Sequence, residues 1–144
     1  SPNRLIFADS VPRAEYLLRY HVADLFLDTR PFNAGTTASD ALKMGLPVLT
    51  CKGNSFSSME GAGIISALNL PELITHSQEE YESLAIELAT NPDKLKAIKE
   101  KLASNLATAP LYDTKLFAKN IESAYTQMYE RHHQGLEPDH IYVE

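Results

Sequence analysis

Residues 35–40, which read Gly-Thr-Thr-Ala-Ser-Asp, form a pattern suited to binding a nucleotide diphosphate. The first turn of a helix has unpaired backbone N–H groups and carries roughly half a positive charge. A helix that begins at Thr36 would therefore attract an anion. Gly35 lets the anion approach the backbone, and the hydroxyls of Thr36 and Thr37 add donors. Asp40 follows one turn later, where its carboxylate can accept hydrogen bonds from ribose hydroxyls.

The same residues also have a purely structural interpretation. Gly-Thr-Thr is a common way to begin a helix, so Thr36 would be an N-cap residue. Asp40 would then be a solvated surface acid. The local pattern leaves both interpretations open.

The elements around this segment predict a Rossmann-like α/β fold. Three apolar runs are expected to form strands: 5–8, 25–28 and 47–50. Helices are expected between and after them, over residues 12–20, 36–44 and about 56–68. Continuous apolar strands separated by helices are typical of a parallel sheet that is covered on both faces. In such sheets ligands bind at the carboxyl ends of the strands, where residues 35–40 would lie.

The second half of the chain has a helical pattern. Residues 70–74 are expected to form at most a short edge strand, because Pro71 cannot donate to a ladder. Ser77 begins a helix with a capping box, Asn91-Pro92 begins the next, and Asp113 begins a last helix that ends at Gly135. We expect one domain over residues 1–144, with a parallel α/β core at 1–75 and a helical extension at 76–144. The apolar stripes at 95–106 and 117–128 would be core or lobe-packing faces, or a partner surface.

Composition excludes several classes of function. The net charge of −6 argues against a broad nucleic-acid surface, and no apolar run approaches the roughly 20 residues that cross a bilayer. Cys51, the single cysteine, is expected to be a core thiol in a cytoplasmic protein. The histidines lack the spacing of a helical zinc pair. We therefore expect no metal site and no cofactor.

Six separated blocks of the chain share the pattern of one known family. They are residues 4–7, 23–50, 72–74, 110–115, 125–130 and 135–140. The longest includes Leu-Asp-Thr at 27–29, Gly-Thr-Thr at 35–37 and Gly-Leu-Pro-Val at 45–48. Together these blocks resemble the C-terminal lobe of O-GlcNAc transferases and their SPINDLY relatives.

The resemblance implies a GT-B glycosyltransferase, in which two Rossmann-like lobes face a cleft behind a set of tetratricopeptide repeats. The C-terminal lobe of such enzymes binds the nucleotide of a UDP-sugar donor, usually UDP-N-acetylglucosamine, and the acceptor is a protein hydroxyl. Thr36 and Thr37 would hold the diphosphate and Asp40 the ribose. We expect this chain to be one lobe of a longer protein, incomplete for catalysis alone. Its catalytic residues are not identified by the sequence.

Three further positions acquire roles from the resemblance. Val11 falls where a backbone group reads the uracil, and Arg13 stands where the family usually has a lysine near the nucleotide. Arg13 would also begin a helix, where a positive charge opposes the helix dipole unless an anion is present. Tyr16 falls where a ring packs on the base, although a half-buried helix tyrosine is an equal alternative.

Two departures from the family pattern leave other functions open. Gly35 replaces a frequent histidine. Met59 and Glu60 stand where the family tends to have Arg-Val. A non-catalytic nucleotide-binding or interaction domain is therefore one alternative. A transferase for another sugar nucleotide, such as GDP-fucose, is a second.

Overall fold

The computed structural model describes residues 2–143, which form a parallel sheet surrounded by helices. Strand β1 is Phe26–Leu27, β2 is Val48–Cys51 and β3 is Ile74–Thr75. They lie in the order β1-β2-β3, with Phe26 opposite Val48 and Thr50 opposite Ile74. All four residues of β2 are buried, as a central parallel strand requires. The predicted parallel α/β arrangement is confirmed.

Six α-helices surround or follow this sheet within residues 2–143. They are α1 (Arg13–Arg19), α2 (Thr36–Lys43), α3 (Phe56–Ala67), α4 (Gln78–Thr90), α5 (Pro92–Leu106) and α6 (Thr114–His133). Short 3-10 turns occupy Pro2–Arg4, Tyr20–Val22, Pro71–Leu73 and Pro110–Tyr112. The predicted helix starts at Ser77, Asn91 and Asp113 are confirmed, since each side chain accepts a backbone N–H of its helix. Gly45 follows α2 with a φ of +81°, a conformation that favours glycine.

One hydrophobic core joins both halves of the chain. Leu42 and Val48 from the α/β part lie in the same cluster as Leu88 of α4 and Leu102 of α5. Each is at most 1% exposed, so each contributes about 1.5–3 kcal/mol through burial of its side chain. The sheet and the helices α4 and α5 therefore pack as one unit.

The strand predicted at residues 5–8 is wrong. This segment has no regular structure, and Leu5, Ile6 and Phe7 are 70%, 90% and 92% exposed. A strand is stable only when its backbone pairs with a neighbour, and within residues 2–143 the three paired strands are β1, β2 and β3. The apolar sequence of residues 5–8 is not enough to form a strand, because in the described part of the chain this segment has no neighbouring strand to pair with.

The segment 70–74 also differs from the expected edge strand. Pro71–Leu73 forms a 3-10 turn, and β3 follows at Ile74–Thr75. Pro71 begins the turn because its fixed φ suits a first helical position and its missing N–H is not needed there. The strand therefore starts later than the apolar run.

The last helix has an exposed apolar face. α6 contains no buried residue, and Phe117, Tyr125 and Met128 are 67%, 61% and 53% exposed. The stripe predicted at 117–128 therefore lies on the surface of this chain, whereas Ile98 and Leu102 of the earlier stripe are in the core. No helix within residues 2–143 is both long enough and apolar enough to cross a membrane.

Candidate nucleotide site

The carboxylate of Asp28 holds the loop that leads from β1 to α2. Its Oδ1 accepts the backbone N–H of Thr29 at 2.8 Å and that of Ala34 at 2.7 Å. Its Oδ2 accepts the hydroxyl of Thr50 at 2.6 Å, and the residue is only 5% exposed. Three hydrogen bonds to one buried carboxylate are strong because the acceptor is charged. These bonds fix the position of the loop and therefore the position at which α2 begins.

Helix α3 approaches this carboxylate closely because it has a glycine at the contact. A Cβ built on Gly61 would lie 2.5 Å from Asp28 Oδ2 and 2.7 Å from Thr50 Oγ1. The loop is also tied to α3 by Asn33, whose N–H donates to the carbonyl of Ser57 at 2.8 Å. Sequence reasoning missed this network. The sequence signal that could have found it is an acid placed directly at the end of an apolar run, residues 25–27.

Helix α4 adds one more support to the same loop. The hydroxyl of Tyr81 donates to the backbone carbonyl of Asp28 at 2.9 Å. Burial raises the pKa of Tyr81 to about 12, and the nearby Asp28 charge acts in the same direction. The phenol is therefore a neutral donor at physiological pH.

The start of α2 has no capping side chain from its own residues, although the side chain of Glu60 of α3 lies beside it. Gly35 is the N-cap, with φ −93° and ψ −86°, and the helix has no side-chain cap and no acid in its first turn. Thr36 and Thr37 are its first two residues, and both are exposed. The interpretation of Thr36 as the N-cap is therefore wrong, because Gly35 holds that position. The backbone N–H groups of the first turn lack a partner from the N-cap side chain.

Arg13 and Asp40 connect α1 to α2. Arg13 Nη2 lies 2.9 Å from Asp40 Oδ1, and the two side chains are 64% and 13% exposed. Asp40 supplies the anion that a positive charge at the start of α1 requires. The pair uses one oxygen of the carboxylate and one nitrogen of the guanidinium. The other carboxylate oxygen of Asp40 and the other N–H groups of Arg13 make no hydrogen bond within residues 2–143.

Two tyrosines extend this connection. The hydroxyls of Tyr16 and Tyr20 are hydrogen-bonded to each other, and Tyr20 donates to the carbonyl of Thr37 at 3.2 Å. Their rings meet edge to face, with centroids 5.3 Å apart. Burial, followed by the hydrogen bond to Tyr16, raises the pKa of Tyr20 far above its usual range. Tyr20 was not identified from the sequence, although the spacing of four residues places both rings on one helix face.

A cavity of about 560 Å³ lies beside this pair, within the size range of small-molecule sites. It is lined by Ala8, Asp9, Ser10, Val11, Tyr16, Arg19 and Tyr20. Val11 and Tyr16, which were predicted to contact a base, therefore share one cavity. Tyr20 links that cavity to the carbonyl of Thr37 at the start of α2. Within residues 2–143, no three metal-ligating side chains lie together as an ion site.

The parallel sheet and the helix start at its carboxyl edge define a Rossmann-like α/β lobe. The profile described as "Glycosyl transferase family 41" matches residues 1–121. The chain belongs to this family, and the resemblance found in the sequence is confirmed.

Two relatives and a solved structure illustrate this assignment. The probable UDP-N-acetylglucosamine–peptide N-acetylglucosaminyltransferase SEC of Arabidopsis thaliana is 35% identical over 143 residues, which is 99% of this chain and 15% of that protein. The UDP-N-acetylglucosamine–peptide N-acetylglucosaminyltransferase of Caenorhabditis elegans is 32% identical over 140 residues, 97% of this chain and 12% of that protein. A mutant O-GlcNAc transferase from Thermobaculum terrenum superposes with a TM-score of 0.83 at 31% identity, covering 88% of this chain and 24% of that one. The chain thus spans about one seventh of the length of the Arabidopsis relative.

Proposed function

We propose that this chain is the donor-nucleotide lobe of a protein O-glycosyltransferase that uses UDP-N-acetylglucosamine. Membership of family 41 and the names of the relatives support this reaction. The observation that carries the proposal is the contact between Arg13 and Asp40, which are 27 residues apart in the chain. It brings the start of α1 beside α2, so that residues assigned to the base, the ribose and the diphosphate belong to one surface.

The proposed site binds successive parts of the donor along α1 and α2. Val11 and Tyr16 contact the uracil in the cavity, through the backbone and by ring stacking. Asp40 accepts a ribose hydroxyl with the oxygen that Arg13 does not use. The N–H groups at the start of α2, beside Gly35, and the hydroxyls of Thr36 and Thr37 bind the diphosphate.

This arrangement suits the departure of a nucleoside diphosphate. During transfer, an acceptor hydroxyl bonds to the anomeric carbon of the sugar and loses its proton, while the bond from that carbon to the diphosphate breaks. Negative charge grows on the diphosphate. Fixed N–H groups, the two threonine hydroxyls and the guanidinium of Arg13 stabilise that charge without needing to reorient. The base that takes the acceptor's proton lies outside this lobe.

The rest of the enzyme follows from the same proposal. Residues 1–75 form the α/β core of the lobe and 76–144 its helical extension. A second lobe and tetratricopeptide repeats in the same protein complete the cleft and bind the protein acceptor. We place the enzyme in the cytoplasm, in keeping with its buried free thiol at Cys51.

Titration calorimetry of the chain with UDP, GDP and inorganic phosphate tests the site. We expect heat with UDP and none with phosphate, because the base and ribose contacts add to the diphosphate contacts. Absence of heat with both nucleotides would contradict the proposed site. An assay with radiolabelled UDP-N-acetylglucosamine tests whether this lobe is incomplete for catalysis by itself. The 144-residue chain should transfer no sugar to protein acceptors.

A further inference from the structure

Glu60, on the second turn of α3, directs its carboxylate at the N-cap of α2. A Cβ built on Gly35 would lie 2.8 Å from Glu60 Cδ and 3.2 Å from Oε2, with Oε1 closer still. The carboxylate therefore occupies the space that a side chain at position 35 would take. Gly35 and Glu60, two of the three residues noted as departures from the family pattern, are therefore in contact.

This carboxylate differs from that of Asp28 in its bonding. Asp28 accepts three hydrogen bonds and is buried. Glu60 is only half-buried, and among residues 2–143 it accepts no hydrogen bond and forms no ion pair. Both of its oxygens are therefore available to a ligand that donates hydrogen bonds.

The position of Glu60 follows from the order of the proposed site, on which this inference rests. Along α2, Asp40 is assigned to the ribose, and Thr37 and Thr36 to the diphosphate. Gly35 comes next, so a group attached to the second phosphate reaches the side chain of Glu60. We propose that Glu60 is a specificity-determining residue that accepts hydrogen bonds from hydroxyl groups of the transferred sugar.

The charge of Glu60 favours the sugar over a phosphate as its partner. A carboxylate repels a diphosphate, since like charges disfavour each other at short range. Sugar hydroxyls are neutral donors, and two neighbouring hydroxyls match the two oxygens of one carboxylate. A site built to accept such bonds discriminates strongly against ligands that lack them, because its polar groups are then left unpaired.

The test compares UDP with UDP-N-acetylglucosamine, by titration calorimetry on the chain and its variants. GDP and GDP-fucose are titrated in parallel. The readout is the dissociation constant of UDP divided by that of UDP-N-acetylglucosamine. This ratio isolates the contribution of the sugar, and it falls when a contact to the sugar is lost. Glu60→Ala should weaken the sugar nucleotide about 10–100-fold relative to the free nucleotide, the range for loss of a hydrogen bond to a charged group. Glu60→Gln, which keeps one acceptor oxygen, should lose less.

Two matched variants accompany these. Glu122→Gln removes a carboxylate from the exposed face of α6 and should leave the ratio unchanged. Gly35→Ala keeps the charge of Glu60 but pushes its carboxylate aside, so it should also reduce the ratio. Thermal melts verify that each variant is folded.

The outcomes separate this inference from the function on which it rests. If Glu60→Ala changes both dissociation constants by the same factor, in either direction, Glu60 does not contact the sugar and the inference is overturned. Tighter binding of both ligands would show that Glu60 acts only as a like charge near the diphosphate. If the unmodified chain binds neither nucleotide, the proposed nucleotide site itself fails, and the inference fails with it.

Discussion

Gly61 of α3 packs so closely against Asp28, at the end of β1, that no residue larger than glycine fits at position 61. A Cβ on Gly61 would lie 2.5 Å from the carboxylate oxygen Oδ2 of Asp28. That oxygen also accepts the hydroxyl of Thr50 at 2.6 Å. The contact thus ties the position of α3 to that of the loop between β1 and α2, and so to the start of α2.

Gly61→Ala should destabilise the chain by about 1–3 kcal/mol, because the added methyl group forces the helix away from the carboxylate. The measurement is urea unfolding followed by circular dichroism. Gly63→Ala is the matched control, since a Cβ at that position meets nothing within 4 Å. It should be neutral or stabilising by up to about 1 kcal/mol, the helix preference of alanine over glycine. Equal stability of the two variants would show that the contact does not constrain α3.

Thr37→Ala should weaken UDP binding by about 1–3 kcal/mol, the cost of leaving a charged partner short of a hydrogen bond. Its melting temperature should stay near that of the unmodified chain, because Gly35 rather than Thr37 is the N-cap of α2. Calorimetric titration beside a thermal melt measures both. Thr126→Ala, on the exposed face of α6, is the control for loss of a helix threonine. An earlier melt with unchanged UDP affinity would assign Thr37 a structural role only.

The start of α2 could be predicted from the sequence because its determinants are local. A glycine followed by two hydroxyl residues, after a loop, is enough to indicate where this helix begins. The helix starts at Ser77 and Asp113 were predictable for the same reason.

The contacts between distant segments could not be predicted in this way. Gly61 looks like an ordinary small helix residue until α3 is seen against Asp28. Gly35 and Glu60 were each recognised as departures from a family pattern, but only the fold shows that they touch. The strand expected at 5–8 failed for a related reason: an apolar run predicts a strand, whereas pairing depends on what lies beside it.

Asp40→Asn should weaken UDP binding, by less than Thr37→Ala does, because an amide oxygen still accepts a ribose hydroxyl. The loss should largely disappear when 2′-deoxy-UDP replaces UDP, since the carboxylate is assigned to the ribose. The ion pair with Arg13 is worth little by itself because Arg13 is 64% exposed, so the variant should melt near the unmodified chain. An equal loss with both nucleotides would place Asp40 away from the ribose 2′-hydroxyl.

Tyr81 makes the stability of the fold sensitive to alkaline pH. Its pKa is about 12 in the folded chain and 10.0 without perturbation, mainly because of burial. The unfolded chain therefore releases this proton first. The stabilisation is fully present below pH 10 and is lost as the pH rises from about 10 to about 12. The pKa of Tyr20 and of Tyr112 is also raised, chiefly by burial, so they add to this loss in the same direction.

Tyr81→Phe should separate the contribution of this one phenol. At pH 7 the variant should lose about 0.5–1.5 kcal/mol, because the carbonyl of Asp28 no longer receives its hydrogen bond. Above pH 10 its stability should fall less steeply than that of the unmodified chain, since one ionisation is absent. Urea unfolding at intervals between pH 8 and pH 12 measures the slope, with Tyr129→Phe, at a side chain that is 65% exposed, as the control. Parallel slopes for Tyr81→Phe and Tyr129→Phe would show that the ionisation of Tyr81 is not linked to unfolding.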